Sequence, residues 1–194
     1  MTGRSRIFRK NGFTIIELLA GILISGIVLA GLYGVFFSQQ MAFSAQEQTA
    51  EMTQNIRAAL DLMTREIRLA GYKTSTSSFS GVASATSTSI RVLADLNQDG
   101  NTSGENENIE YTYNAGTLQI CRNGVNLPVA DNITSLSFVY TLADGTVTSS
   151  PANPANIRKI ALSVTARTAH RDRGTGAYRT ITQISDVTPR NLAL

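Results

Sequence analysis

Residues 10–37 read KNGFTIIELLAGILISGIVLAGLYGVFF. From Phe13 to Phe37 every residue is apolar or small except Thr14, Glu17 and Ser25. As an α-helix this stretch extends ~37 Å, enough to cross a bilayer core of ~30 Å. The twelve residues before it hold Arg4, Arg6, Arg9 and Lys10 and no acid. A basic flank of that kind stays cytoplasmic, which puts everything after Phe37 outside the inner membrane. A secretory signal peptide would have a shorter apolar region and an A-x-A-like cleavage site. Here the run continues instead into SQQMAFSAQEQTAEM, which keeps helical composition.

Neither Gly nor Pro interrupts the chain from Ser38 to Ala70. Met52, Ile56, Leu60, Met63 and Ile67 recur at spacings of four and three, with Ala59 and Ala70 on the same face. Arg57, Asp61, Thr64 and Arg68 line the opposite face, the pattern of an amphipathic helix. Asp61 and Arg65 form an i,i+4 pair, and Gly71 is a natural stop. The pattern predicts one helix from about Phe13 to about Ala70, ~85 Å long, apolar all round in its first half and one-sided in its second.

Beyond Lys73 the chain changes character. Residues 73–89 are Ser/Thr-rich and read as a loop or edge. Short strands then follow at Ile90–Ala94, Ile109–Tyr113, Thr117–Cys121, Ile133–Leu142, Ile157–Arg167 and Tyr178–Val187, with turn signals at Asn114-Ala115-Gly116 and Asp144-Gly145. The economical architecture is α+β: an antiparallel sheet packed on the amphipathic half of the long helix. The expected organisation is a leader (1–12), a membrane half of the helix (13–37), an amphipathic half (38–70) and a β-rich globular domain (71–194).

Composition narrows the chemistry. One Cys and one His in 194 residues exclude an intramolecular disulfide, a Cys-based zinc site and any multi-His metal site. No Ser/His/Asp constellation or phosphate loop is supported, so no enzyme is expected. Arg167, Arg171, Arg173 and Arg179 cluster late in the chain, but Asp172 sits among them and the pattern reads as free of interleaved aromatics. A solvated connection is the simpler reading, and no nucleic-acid partner is predicted.

Glu17 asks for an explanation, because a carboxylate in a bilayer costs roughly 2.5–3.5 kcal/mol at the helix centre and less toward an end. One reading places it in the first helical turn, favoured by the macrodipole and snorkelling to the headgroups. The other pairs it with a positive charge supplied inside the membrane.

The run Lys10-Asn11-Gly12-Phe13-Thr14-Ile15-Ile16-Glu17-Leu18 resembles the class III signal of type IV pilins and type II secretion pseudopilins. The resemblance implies cleavage by a prepilin peptidase between Gly12 and Phe13 and N-methylation of the new Phe13 amine. It also implies that Glu17 neutralises that amine on an adjacent subunit during assembly. Ala58-Ala-Leu-Asp-Leu-Met-Thr-Arg-Glu-Ile-Arg-Leu-Ala-Gly-Tyr72 resembles the helix end of PilW-type minor pilins and of J-type minor pseudopilins, and the strand Ile157–Arg167 and the terminal run Thr188–Leu192 resemble those of PilW-type proteins. Cys121 stands alone in mid-domain, unlike the cysteine pair that closes a C-terminal loop in many major pilins.

The resemblance implies a minor pilin that helps initiate assembly at or near a fibre tip. Its partners would be the peptidase, other minor and major pilins, and an inner-membrane assembly platform. It would sit in the inner membrane before assembly and in a cell-surface pilus afterwards. The alternatives are a minor pseudopilin of type II secretion and a pilus-borne calcium-dependent adhesin. Cleavage after Gly12 would remove four of the 17 basic residues, leaving 13 against 14 acidic ones on a mature chain of 182 residues.

The adhesin alternative rests on Asp95-Leu-Asn97-Gln-Asp99-Gly100-Asn101, which reproduces the first seven positions of a calcium loop. Side-chain oxygens fall at positions one, three and five, Gly at six and a backbone carbonyl at seven. Position twelve is Asn106 instead of a bidentate Glu, with Glu105 and Glu107 alongside as candidate ligands for Ca2+. The competing reading is a solvated Asp/Asn/Gly turn.

Overall fold

The computed structural model describes residues 12–74, 77–124 and 127–192. The cations Arg4, Arg6, Arg9 and Lys10, in the stretch expected to be a leader, lie outside the described residues. Two compact units divide the chain, Met1–Ser44 and Ala45–Leu194. Helix α1 (Ile15–Arg68) is 54 residues long and runs from the first unit into the second.

In the first unit every described residue from 12 to 40 is exposed. Ile22, Leu23, Ile27, Leu32 and Phe36 each show more than half of their surface. Apolar surface on this scale is not left to water, and a span of such hydropathy is covered by lipid or by protein.

In the second unit the apolar stripe of α1 is buried as its spacing requires: Met52, Ile56, Ala59, Leu60, Met63 and Ile67. The helix ends by tightening, with Leu69 N–H donating to Glu66 O and Ala70 N–H to Ile67 O. Gly71 follows at φ +79°, a left-handed position that disfavours any side chain, and donates its N–H to Leu93 O at 2.9 Å. Gly81 packs on this turn so closely that a Cβ there would lie 2.3 Å from Gly71 N.

The strands are β1 (Val82–Ala85), β2 (Ser89–Leu93), β3 (Asn108–Asn114), β4 (Gln119–Arg122), β5 (Pro128–Ala130), β6 (Ile133–Leu142), β7 (Val147–Thr148), β8 (Ile157–Arg167) and β9 (Thr180–Val187). They form two antiparallel sheets rather than one. The first has the order β1-β2-β3-β4-β5 and the second β7-β6-β8-β9. Between them the chain turns at Asp131 and Asn132, the latter at φ +57°, and β6 leaves its predecessor to pair along its length with β8. The core of this unit includes Ile90, Tyr111 and Ile120 from the first sheet, and Phe138, Tyr140, Ile160, Leu162 and Val164 from the second, together with the buried face of α1.

Three strands escape the sequence reading for local reasons. β1 lies in the Ser/Thr-rich stretch and buries only Val82 and Ala85. β5 begins on a proline and β7 has two residues. β4 starts at Gln119 instead of Thr117 because Leu118 adopts φ +55°, outside the extended region. On β8, burial skips from Ile157 to Ile160 before alternating, because the register with β6 shifts between Thr141 and Leu142.

Candidate functional site

The N-terminus of α1 is held by its own side chains. Thr14 immediately precedes the helix, and its N–H and Oγ1–H both donate to Glu17 Oε2 at 2.9 Å. Glu17 N–H donates back to Thr14 Oγ1 at 3.4 Å. This is a capping box, in which a Thr and a Glu three residues apart satisfy backbone donors that the first turn leaves without intrahelical partners. The sequence reading missed it, although Thr14-x-x-Glu17 is its recognised signal. Gly12 and Phe13 precede the helix and are exposed, Phe13 at 85%.

At the other end of α1, Glu66 reaches inward. Its carboxylate receives Arg122 Nε at 3.1 Å and Arg122 Nη2 at 3.0 Å, and Tyr111 Oη donates to it as well. Arg122 Nη2 also donates to Asn106 Oδ1 at 2.6 Å. The cluster ties the helix to β3, to β4 and to the loop before β3. Burial, then the hydrogen bond and charge of Glu66, push the Tyr111 hydroxyl well above the usual tyrosine range. The Glu66 bond holds the Arg122 guanidinium charged still more firmly. No pattern in the sequence joins residues 66, 111 and 122, which are brought together only by the fold.

The Asp95 loop follows β2 and is folded on itself. Asp95 is fully buried: its Oδ2 accepts Ser77 Oγ–H at 2.8 Å and Gly100 N–H at 3.1 Å, while its Oδ1 has no hydrogen-bond partner. Asn97 Oδ1 accepts Asp99 N–H at 3.0 Å, and Asp99 Oδ1 accepts Asn101 N–H at 2.9 Å. The Asn101 amide bond holds the exposed Asp99 carboxyl below its ordinary pKa, with help from the Asn97 side chain. Glu107 is also buried; Oε1 receives the amides of Leu96 and Asn97, and Oε2 that of Gly104. Glu105 is exposed. The loop therefore brings Asp95, Asn97, Asp99 and Asn101 together and turns Glu107 toward three backbone amides.

The late arginines are not a bare basic patch. Arg179 pairs with Asp172 through Nη2 at 2.6 Å and Nε at 2.9 Å. The Arg167 and Arg171 guanidinium carbons lie 4.3 and 5.3 Å from the Tyr178 ring centre, so an aromatic does stand among these cations, contrary to the sequence reading. Cys121 is buried on β4, and burial, with Asp131 contributing, pushes its thiol pKa up, which makes it a poor nucleophile.

With this geometry in hand, comparison with known proteins is informative. Residues 7–33 match the prokaryotic N-terminal methylation motif. Residues 45–185 match prepilin peptidase-dependent protein B. Among curated proteins, none matches significantly. Among solved structures, the type IV-like pilin TTHA1219 from Thermus thermophilus aligns at a TM-score of 0.51 and 15% identity, over 73% of this chain and 98% of its own. That likeness places the long helix and its antiparallel sheets in the type IV pilin fold. A methylation motif on an exposed apolar helix, followed by that fold, is the architecture of a type IV pilin-like prepilin, and the chain belongs to the prepilin peptidase-dependent protein B family, a structural family and not one of enzymes.

Proposed function

We propose that this chain is a PilW-type minor pilin, held in the inner membrane by residues 13–37 and then built into the tip region of a type IV pilus. A prepilin peptidase cuts between Gly12 and Phe13 and the Phe13 amine is methylated. Glu17 meets that amine on a neighbouring subunit, other minor and major pilins pack against the apolar half of α1, and an inner-membrane platform drives insertion. The observation that carries this reading is the run of exposed residues from 12 to 40 on a capped helix. Such a surface has no use for water. It suits lipid first and the helices of neighbouring subunits afterwards, where van der Waals packing and a few polar contacts hold helices together. Gly21, Gly26, Gly31 and Gly34 have open space around them, so neighbouring helices can approach closely there.

The test is processing followed by localisation. Wild-type chain isolated from membranes has the mass of the 182 residues from Phe13 onward plus a methyl group on Phe13. Gly12→Lys abolishes the cut and removes the protein from purified fibres, because a side chain at that position obstructs an extended backbone in the peptidase site. Normal processing of Gly12→Lys would refute the cleavage assignment. A copy number in fibres equal to that of the main subunit would refute the minor role.

A further inference from the structure

The loop from Asp95 to Asn101 has no part in the assembly proposed above. From its geometry we infer that it binds Ca2+ through Asp95 Oδ1, the side-chain oxygens of Asn97 and Asp99, and the Asn101 carbonyl, with water completing the shell.

Asp95 is fully buried, yet only one of its carboxylate oxygens is used. A buried carboxylate oxygen without a donor is penalised, and none of the four ion pairs among the described residues involves Asp95, Asp99 or Glu107. A cation is the missing counterpart. Oδ2 takes the Gly100 amide from across the loop as well as the Ser77 hydroxyl, so the carboxylate lies against the loop with Oδ1 left over.

The backbone is already shaped for such an ion. Gln98 stands at φ +64° and Gly100 at φ +91°, which tightens the loop and lets the Gly100 amide reach Asp95 Oδ2. Asn97 Nδ2 lies 3.0 Å from Asp99 Oδ2, which brings these two side chains within reach of one ion. No three His, Cys, Asp or Glu side chains converge among the described residues, so the set is two carboxylates, an amide oxygen and a carbonyl. An all-oxygen shell with only two charges disfavours zinc and suits calcium at the weak end of its range, a Kd of about 0.1–1 mM, as extracellular modules use. Glu107 keeps its structural part, closing the loop through three amides. Gly104 must stay small beside it, because a Cβ there would lie 2.4 Å from Glu107 Oε2.

The site has a mechanical consequence. Asp95 N–H donates to Tyr72 O at 2.8 Å, and Gln98 Nε2 donates to Tyr72 Oη at 3.0 Å. An ion in the loop therefore stiffens the attachment of the turn that ends α1.

The experiment is thermal unfolding of the full chain in detergent micelles, with EDTA, 10 mM CaCl2 or 10 mM MgCl2 at matched ionic strength. Calcium raises Tm by about 3–10 °C, as expected for a ligand at roughly 10–100 times Kd on a domain of this size. Asp99→Ala, on an exposed residue whose loss leaves the core intact, removes most of that rise, and calorimetric titration shows its calcium heat reduced at least tenfold. The inference is overturned if the wild type does not shift at 10 mM calcium, if magnesium shifts it equally, or if Asp99→Ala responds as the wild type does.

Discussion

Replacing Glu66 by Ala tests whether the helix is fastened to the first sheet through one carboxylate. The substitution removes three hydrogen bonds: two from Arg122 and one from Tyr111. Tyr111 is fully buried, so its hydroxyl loses its acceptor without gaining water, a penalty of about 1–3 kcal/mol. Arg122 keeps Asn106 as a partner, and its side chain is 20% exposed, so it recovers part of its hydration. Losing its charge-assisted bonds then costs about 1–2 kcal/mol, less than a fully buried pair. The sum is about 2–5 kcal/mol, a fall in Tm of roughly 4–20 °C for a chain of this length. Thermal unfolding of the full chain in micelles measures it. A second variant separates cluster chemistry from lost volume: Glu66→Leu with Arg122→Met and Tyr111→Phe removes every polar member while keeping bulk. If the penalty comes from stranded polar groups, this triple variant lies within ~1.5 kcal/mol of the wild type. A triple variant as unstable as Glu66→Ala, or a loss below about 1 kcal/mol for Glu66→Ala itself, would refute the reasoning.

Two further outcomes follow from close packing and from burial. Gly81→Ala presses a methyl group against the Gly71 backbone and is expected to cost about 2–3 kcal/mol, read as a fall in Tm of roughly 4–12 °C; an unchanged Tm would show that the two turns separate freely. Tyr111 and Tyr140 both have hydroxyl pKa values raised mainly by burial, so the folded chain holds those protons more tightly than the unfolded one. Stability from these groups is complete below about pH 10, where free tyrosine titrates, and falls as pH rises beyond it, by up to ~1.4 kcal/mol per pH unit for each. Urea midpoints measured from pH 9 to 11 are expected to fall more steeply for the wild type than for a variant carrying both Tyr→Phe changes, and parallel slopes would contradict the assignment.

What the sequence disclosed divides along the range of the interactions. The helix was legible because its signals are local: a stripe from Met52 to Ile67, a stop at Gly71, and no Gly or Pro between Ser38 and Ala70. β6 and β8 were legible for the same reason, since each carries its alternation within ten or eleven residues. The division into two sheets was not. It depends on Asn132 reversing direction at a positive φ, and nothing in Asp131-Asn132 distinguishes that turn from one that continues a meander. Nor was the partner of Glu66 visible, because Arg122 lies 56 residues away and the strand that brings it there is only four residues long. The Asp95 loop was legible as spacing, whereas the unpartnered oxygen at its centre is a property of burial, set by Ser77 and the surrounding turns rather than by the motif.

Glu17 shows how a local signal and a nonlocal demand coexist in one residue. The capping box explains why an acid belongs three residues after Thr14, and a soluble helix would need nothing more. Both bonds from Thr14, however, fall on Oε2, and neither neutralises the charge. In a helix whose residues from 12 to 40 are all exposed, that charge travels with the apolar surface into whatever covers it. Snorkelling lowers the cost while the headgroups are near, and it fails once lipid is exchanged for protein. In the proposed assembly a neighbouring subunit's Phe13 amine supplies the cation, since no Lys or Arg follows Glu17 until Arg57, forty residues further on. On that proposal the two sequence readings of Glu17 are compatible. The capping bonds fix where the carboxylate points, and in the proposed filament a carboxylate held in place would lose less entropy on pairing with a neighbouring amine.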